Sequence, residues 1–311
     1  MKKNIVTILC LLLSICSQAY DFEVNGIYYG INSMQTMEVE VLPGEKKYSG
    51  NINIPATVSY RDKVFKVVGI GYCAFKGCNI TAISIPKGIK YVATWGFLNC
   101  KNLRSIELSD SLIGIGRSAF MNSGLTKIVI PDRVEQIQDS AFVNCTALKS
   151  VTIGTGLRYS NEFCPTAFYN CVNVEELIIK DSKKDLAVAA HYVKEAKEWR
   201  PIFGSFINLK RVYLGRELSQ GNLVEHPFPN SNKIKHLELG RYVTSWRNIN
   251  SDLDVVIVHR KTPSVSDNPY WGMFTNKTKM NGILYVPAGC VELYKNASGW
   301  KEFWTIKEIG N

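Results

Sequence analysis

A phenylalanine recurs along the chain at a nearly constant spacing, and this period constrains the fold more than any other feature of the 311 residues. The anchors are Phe75, Phe97, Phe120, Phe142, Phe168, Phe203 and Phe228. A unit of about 20–29 residues is too small to bury its own apolar face, so successive units must stack and share a core. The period predicts a repeat solenoid over residues 67–251 with about seven units, not two separate globular domains.

Within each unit the apolar pattern predicts one short strand. In Leu103–Leu108 the side chains of Ile106 and Leu108 should point inward and Glu107 outward, by the period of two. Pro86 and Pro131 follow such strands, where a missing N–H ends the ladder. Aligned strands would form a parallel sheet along the solenoid, and the phenylalanines would stack as a spine across its back.

Cysteine occupies one repeated position, three residues after the anchor. It is found there in four units, as Cys78, Cys100, Cys145 and Cys171. A small, weakly polar residue at a repeated place predicts an interior column. Disulfides between neighbouring units stay possible in an oxidising compartment, but we expect buried thiols because the spacing of such a column need not match disulfide geometry.

The unit resembles the BspA-like, or treponemal-type, leucine-rich repeats. The matching positions are Gly116, Ala119, Phe120, Leu125, Ile128, Ile130 and Pro131. The resemblance implies a right-handed leucine-rich-repeat coil with a parallel β-sheet. It also implies a protein exported by bacteria, and some similar proteins are surface adhesins for host matrix proteins or other cells.

The first residues predict export. Lys2 and Lys3 precede an apolar run over residues 5–15, and Ser17 and Ala19 suit a signal peptidase, so residues 1–19 are read as a signal peptide. The run is too short to span a bilayer, which takes about 20 residues. Lipid anchoring at Cys16 is the less favoured reading. The mature chain is expected to be secreted or at the cell surface, with the periplasm as a further possibility.

The flanks predict solenoid caps, because an open end would expose an apolar repeat. Residues 20–66 are read as an N-terminal β cap and residues 252–311 as a C-terminal α+β cap. An insertion at 182–200 is predicted to be a helix, since Ser182 to Asp185 suits a capping box and Pro201 would stop the helix. Between them, apolar residues follow at helical spacing: Leu186, Ala189, Ala190, Val193 and Ala196.

Chemical motifs are sparse. His191, His226, His236 and His259 form no close metal pair, no nucleophile elbow occurs, and the Gly-x-Gly segments fall inside the repeat. We therefore assign no catalytic, metal-binding or cofactor-binding residue. A cysteine–histidine pair assembled by the fold is the one enzymatic alternative, and column cysteines would be too buried to react.

The charge balance limits the partners. Lysine and arginine number 37 against 27 acidic residues, with a basic excess between Lys180 and Arg216. That stretch is either a solvated face or a weak attractor of anionic glycans and acidic proteins. Without a recognition motif, nucleic acid is not an expected partner.

The outward columns of the sheet suggest where a partner docks. The candidate contact residues are Glu107, Lys127, Arg211, Tyr213, His236 and Glu238. We expect a non-enzymatic protein that binds a protein partner toward Tyr213 and His236, since large polar and aromatic groups favour binding hot spots. The alternative is a carbohydrate-binding protein that uses C-terminal aromatics around Tyr270 and Trp271.

Overall fold

The computed structural model describes residues 20–157, 162–188, 190–193, 198–220, 228–244, 249, 251–264 and 274–310. The proposed signal peptide, and Tyr270 and Trp271, lie outside the described residues. Short strands predominate. In chain order the first half contains β1 Phe22–Val24, β2 Ile27–Ser33, β3 Glu38–Leu42, β4 Ser49–Asn53, β5 Thr57–Tyr60, β6 Lys63–Ile70, β7 Asn79–Ser84, β8 Tyr91–Val92, β9 Gly114–Ile115, β10 Lys127–Ile130 and β11 Gln136–Ile137.

The second half has eleven further strands and two short helices among the described residues. They are β12 Ser150–Ile153, β13 Glu176–Ile179, β14 Leu186–Val188, β15 Ala190–Val193, β16 Glu198–Pro201, β17 Arg211–Leu214, β18 Leu218–Gln220, β19 His236–Leu239, β20 Val255–Val258, α1 Asn276–Asn281, β21 Ile283–Val286, α2 Val291–Lys295 and β22 Thr305–Glu308. Neither helix is long and apolar enough to cross a bilayer.

Successive repeats contribute one strand each to an eight-stranded parallel sheet, which we call the repeat sheet. Its order is β10-β12-β13-β17-β19-β20-β21-β22. Along most of these strands buried and more exposed residues alternate, as in β10, where Ile128 and Ile130 are buried and Lys127 and Val129 are not. Because the strands are in register, equivalent side chains form columns on one face. The predicted parallel sheet is confirmed from β10 onward.

The repeat sheet does not extend back to the segment 103–108, so the strand predicted there is wrong. Leu103 and Leu108 are buried and Glu107 is exposed, as expected, but Ile106 is only partly buried. In the part of the chain that the structure describes, no backbone hydrogen bond joins residues 105–108 to β10. The following turn is fixed by Ser109, whose hydroxyl accepts hydrogen bonds from the amides of Gly88 and Ser111.

The phenylalanine spine is confirmed through five repeats. The rings of Phe75, Phe97, Phe120, Phe142 and Phe168 stack nearly parallel, with successive centroids 5.0, 5.1, 5.2 and 4.9 Å apart. The backbone follows the same stack, since the amide of Phe120 donates to the carbonyl of Ala141 at 2.7 Å. After Phe168 the pattern changes, and Phe206 meets Phe168 edge-on at 5.9 Å.

The cysteine column is buried, as predicted. The thiols of Cys100, Cys145 and Cys171 each donate to the carbonyl of an anchor phenylalanine in a preceding repeat, at 3.0, 3.1 and 3.1 Å. This contact explains the residue type, because the position requires a small side chain that can donate a weak hydrogen bond. All seven cysteines among the described residues are free thiols, and only Cys164 is not fully buried.

The insertion is not the helix that its spacing predicts. Leu186 and Val188 are buried on either side of the less buried Ala187, which is the period of a strand. β14 pairs with β18 in parallel, and β15 pairs with β16 as an antiparallel hairpin. The Ser182 hydroxyl accepts from the Lys184 amide at 3.0 Å, so the predicted capping box forms a local turn. Tertiary strand pairing here overrides the helical spacing.

The two ends of the array differ. At the N-terminus, β1, β2 and β3 pair antiparallel, and β3 joins the parallel strands β6, β8, β9 and β11. At the C-terminus, β20, β21 and β22 continue the repeat sheet without a change of direction. Phe274, Tyr294, Trp300 and Phe303 form a buried aromatic cluster against this end.

Candidate binding surface on the repeat sheet

Two columns of side chains run along the outer face of the repeat sheet, fixed by strand register. The first aligns Lys127, Ser150, Glu176, Arg211 and His236, and the second aligns Val129, Thr152, Ile178, Tyr213 and Glu238. Both sets face away from the core, since the residues between them are buried. Thr152 departs from the expectation, because this small side chain is buried between its larger neighbours.

Four of the predicted contact residues lie together in one depression of about 280 Å³. Arg211, Tyr213, His236 and Glu238 line it, with Ile178 on one side. We call these four residues the Tyr213 surface. Arg211 is paired with His236 and Tyr213 with Glu238 across adjacent strands. A guanidinium, a phenol, an imidazole and a carboxylate are thus presented on a rigid sheet.

Hydrogen bonds and burial fix the ionisation of this surface. The Tyr213 hydroxyl donates to Asp181 Oδ2 at 2.7 Å, and burial, followed by the Asp181 carboxylate, raises the pKa of Tyr213. Burial lowers the pKa of His236, and the neighbouring Arg211 charge acts in the same direction. At neutral pH the surface therefore carries one positive group, one carboxylate and a neutral imidazole.

Glu238 has a second histidine beside it that the sequence analysis missed. His259 Nε2 lies 2.6 Å from Glu238 Oε1, whereas His236 Nε2 is 3.8 Å from Glu238 Oε2. His259 follows β20, two residues after Ile257, which is in register with Glu238. Extending the outward face to β20 and two residues past Ile257 would have found it.

Glu107 and Lys127, the other two predicted contact residues, lie in a separate depression. It has a volume of about 670 Å³ and forms where the sheet is interrupted, between residues 105–110 and β10. Its wall combines these two charged side chains with Ile106, Pro131 and Val129, whose exposed fraction is 40%. The structure thus divides the six predicted residues between two hollows with no lining residue in common.

The structure also shows which groups contact the cations of the basic stretch. In the basic stretch, Lys180 pairs with Asp132, Lys210 pairs with Glu175, and Arg216 is buried with its guanidinium donating to the carbonyls of Gly154 and Leu157. Three of the cations in this stretch are therefore engaged by other groups of the fold. Across the described ranges, no group of three His, Cys, Asp or Glu side chains is placed to hold a metal ion.

The in-register parallel strands, with few and short helices, define a leucine-rich-repeat fold. Residues 68–195 match six copies of the family described as BspA type leucine rich repeat region.

Several solved bacterial structures are similar to the chain. The leucine-rich-repeat protein of T. pallidum is 21% identical, with a TM-score of 0.49 over 70% of this chain and 86% of its own. One from Bacteroides ovatus is 18% identical, with a TM-score of 0.37 over 93% of this chain and 100% of its own. A leucine-rich cell surface protein from Faecalibacterium prausnitzii is 13% identical, with a TM-score of 0.35 over 93% and 95%. No curated protein matches the chain.

Proposed function

We propose that this chain is an exported, non-enzymatic binding protein that presents its repeat sheet to a protein partner at the Tyr213 surface. The observation that carries the proposal is the juxtaposition of Arg211, Tyr213, His236 and Glu238 in one depression of the sheet. The match to BspA type leucine-rich repeats supports a surface protein-binding role. Adhesion to host matrix or to another cell is the specific form of this role that we propose.

The residue types at the Tyr213 surface support a protein interface. Tyrosine and arginine are over-represented among interface residues that dominate binding energy. Tyr213 is held in place by Asp181 before any partner arrives, so little side-chain freedom would be lost on binding. The combination of a partly buried aromatic ring with both signs of charge suits a partner surface of mixed polarity.

The architecture proposed with this function keeps the sequence-based domain plan. Residues 1–19 act as a signal peptide, residues 20–66 close one end of a right-handed coil, and residues 252–311 close the other. The aromatic cluster at the C-terminal end supports this plan, because its side chains are buried rather than displayed. The alternative function is carbohydrate binding through C-terminal aromatics. Because the rings of this cluster are buried, that function would have to use Tyr270, Trp271 and the exposed Trp304.

A binding screen with paired variants tests the proposal. The wild-type protein is screened by surface plasmon resonance against extracellular matrix proteins and immobilised glycans. Arg211→Ala with Tyr213→Ala should weaken binding of the captured protein by about 2 kcal/mol or more, roughly thirtyfold. Glu107→Ala with Lys127→Ala alters the other hollow of the same sheet and serves as the matched control, with near wild-type affinity expected.

Two outcomes would count against this function. Undiminished affinity in a folded Arg211→Ala, Tyr213→Ala protein would exclude the Tyr213 surface. Binding to glycans alone, lost on substitution of Trp304, would favour the carbohydrate alternative. Circular dichroism of each variant establishes that the fold is kept.

A further inference from the structure

A basic pocket lies beyond the Tyr213 surface, in the turns that follow two adjacent strands. Arg241 follows β19, and His259, Arg260 and Lys261 follow β20 directly. Together with Thr262 these residues line a depression of about 470 Å³, which we call the basic pocket. The described lining thus consists of two arginines, one lysine, one histidine and one threonine. A volume of this size is within the range of small-ligand sites.

Ion pairs with the described residues do not neutralise the charge of the basic pocket. Among the described residues, none of Arg241, Arg260 and Lys261 forms an ion pair, unlike Lys180 and Lys210. Glu238 is nearby, but its carboxylate is engaged by His259 at 2.6 Å. Three formal positive charges therefore face one open depression, and they attract an anionic ligand.

The turn that carries these charges is held in place by the core. The buried Tyr294 donates its hydroxyl to the carbonyl of Arg260 at 2.9 Å. Within the turn, Arg260 Nε donates to the carbonyl of Thr262 at 3.3 Å. The basic side chains thus project from a fixed backbone, which reduces the ordering that an arriving ligand must impose.

The lining also indicates what kind of anion fits. The described residues that line the pocket include no apolar side chain, so they favour a charged ligand over the hydrophobic residues of a peptide. The Tyr213 ring lies next to it, with its centroid 6.4 Å from that of the His259 ring. An aromatic ring beside a basic pocket suits an acidic sugar, because the apolar face of the sugar packs on the ring. Arginine pairs well with planar or multidentate acid groups.

We propose that the basic pocket binds an acidic oligosaccharide, with its sulfate or carboxylate groups on Arg241, Arg260 and Lys261. The proposal does not depend on the protein partner of the Tyr213 surface, since it concerns a different ligand and different charged residues. It also differs from sugar binding through C-terminal aromatics, because charge and not stacking supplies most of the affinity.

Calorimetry at low ionic strength with four probes of similar length tests the ligand class. The probes are a sulfated oligosaccharide, an unsulfated uronic-acid oligosaccharide, a neutral oligosaccharide and poly-glutamate. We expect one or both acidic sugars to bind, with affinity falling as salt rises, and the neutral sugar not to bind. Comparison of the first two probes distinguishes sulfate from carboxylate recognition. Binding of poly-glutamate as tightly as the acidic sugars, or no binding of either acidic sugar, would overturn the proposal.

A pair of charge-matched variants tests the location. Arg241→Gln with Lys261→Gln removes two exposed charges that make no hydrogen bond or ion pair with a described residue, so the fold should be kept. The acidic sugar should bind this variant at least about tenfold more weakly than wild type, as expected for the loss of two charge-assisted contacts.

Lys87→Gln with Lys101→Gln is the control, since it removes the same charge from exposed positions in early repeats. At about 0.15 M salt, where the Debye length is about 8 Å, its affinity should stay within about twofold of wild type because distant charges are screened. An equal loss in both variants would show attraction by net charge alone and would overturn the site.

Discussion

Replacing Phe142 with alanine removes the fourth of five stacked rings in the phenylalanine spine. Phe142 is fully buried, and its ring lies 5.2 Å from Phe120 and 4.9 Å from Phe168, nearly parallel to both. Every repeat contacts mainly its neighbours, so a hole at this position separates the repeats before it from those after it. We therefore expect a large loss of stability centred on the repeats that carry these three rings.

The magnitude follows from burial and stacking. Truncating a buried phenylalanine to alanine costs about 3–5 kcal/mol through lost transfer energy and the cavity left behind. Each aromatic pair contributes about 0.5–1.5 kcal/mol beyond area burial. Phe142→Leu keeps most of the apolar volume but loses both stacked pairs, so it should cost about 1–3 kcal/mol. Since a whole domain is stable by about 5–15 kcal/mol, the alanine change removes a large part of the total.

Chemical denaturation, with native-state hydrogen exchange as a local probe, measures the effect. The midpoint should fall in the order wild type, Phe142→Leu, Phe142→Ala, and the amide of Phe120, which donates to Ala141, should lose protection. Val129→Ala is the control, because Val129 is 40% exposed on the outer face of the sheet and should change stability by less than about 0.5 kcal/mol. A Phe142→Ala protein with the wild-type midpoint would refute the stacked spine.

Two further predictions concern the cysteines and the acid side of the stability profile. Burial raises the pKa of Cys100 to about 12, so this thiol should resist a thiol reagent in the native protein. Cys145 should resist it because its side chain is fully buried, whereas the less buried Cys164 should be labelled first. Rapid native labelling of Cys100 would contradict the buried column. The fold lowers the pKa of His236, so the unfolded chain takes up a proton at a higher pH than the folded protein does. The free energy of unfolding should therefore decrease as the pH falls below about 6.5, the ordinary pKa of histidine. His236→Gln should flatten the pH dependence of the denaturation midpoint below that value, and an unchanged slope would show that His236 does not cause it.

The candidate site was only partly accessible from the sequence. The period of two placed Arg211, Tyr213, His236 and Glu238 on one face, and register then made them neighbours. The other two residues, Glu107 and Lys127, lie in a different hollow from these four. This could not be predicted from the sequence, because it depends on the interruption of the sheet at residues 105–108. The basic pocket was missed because Arg241 and Lys261 are far apart in sequence and meet only when the turns after β19 and β20 are stacked.

By itself the sequence determined the repeat. The recurring Phe, Cys and alternating apolar residues are enough to define it, because each unit must bury the same face against its neighbour. Local spacing therefore encodes the stacked spine, the thiol column and the in-register sheet. The tertiary structure alone decided the places where a segment chooses between partners. Leu186, Ala190 and Val193 follow a helical spacing, whereas Leu186 and Val188 follow the period of a strand, and pairing of β14 with β18 selected the strand. Such choices rest on contacts between residues distant in the chain, which local spacing does not contain.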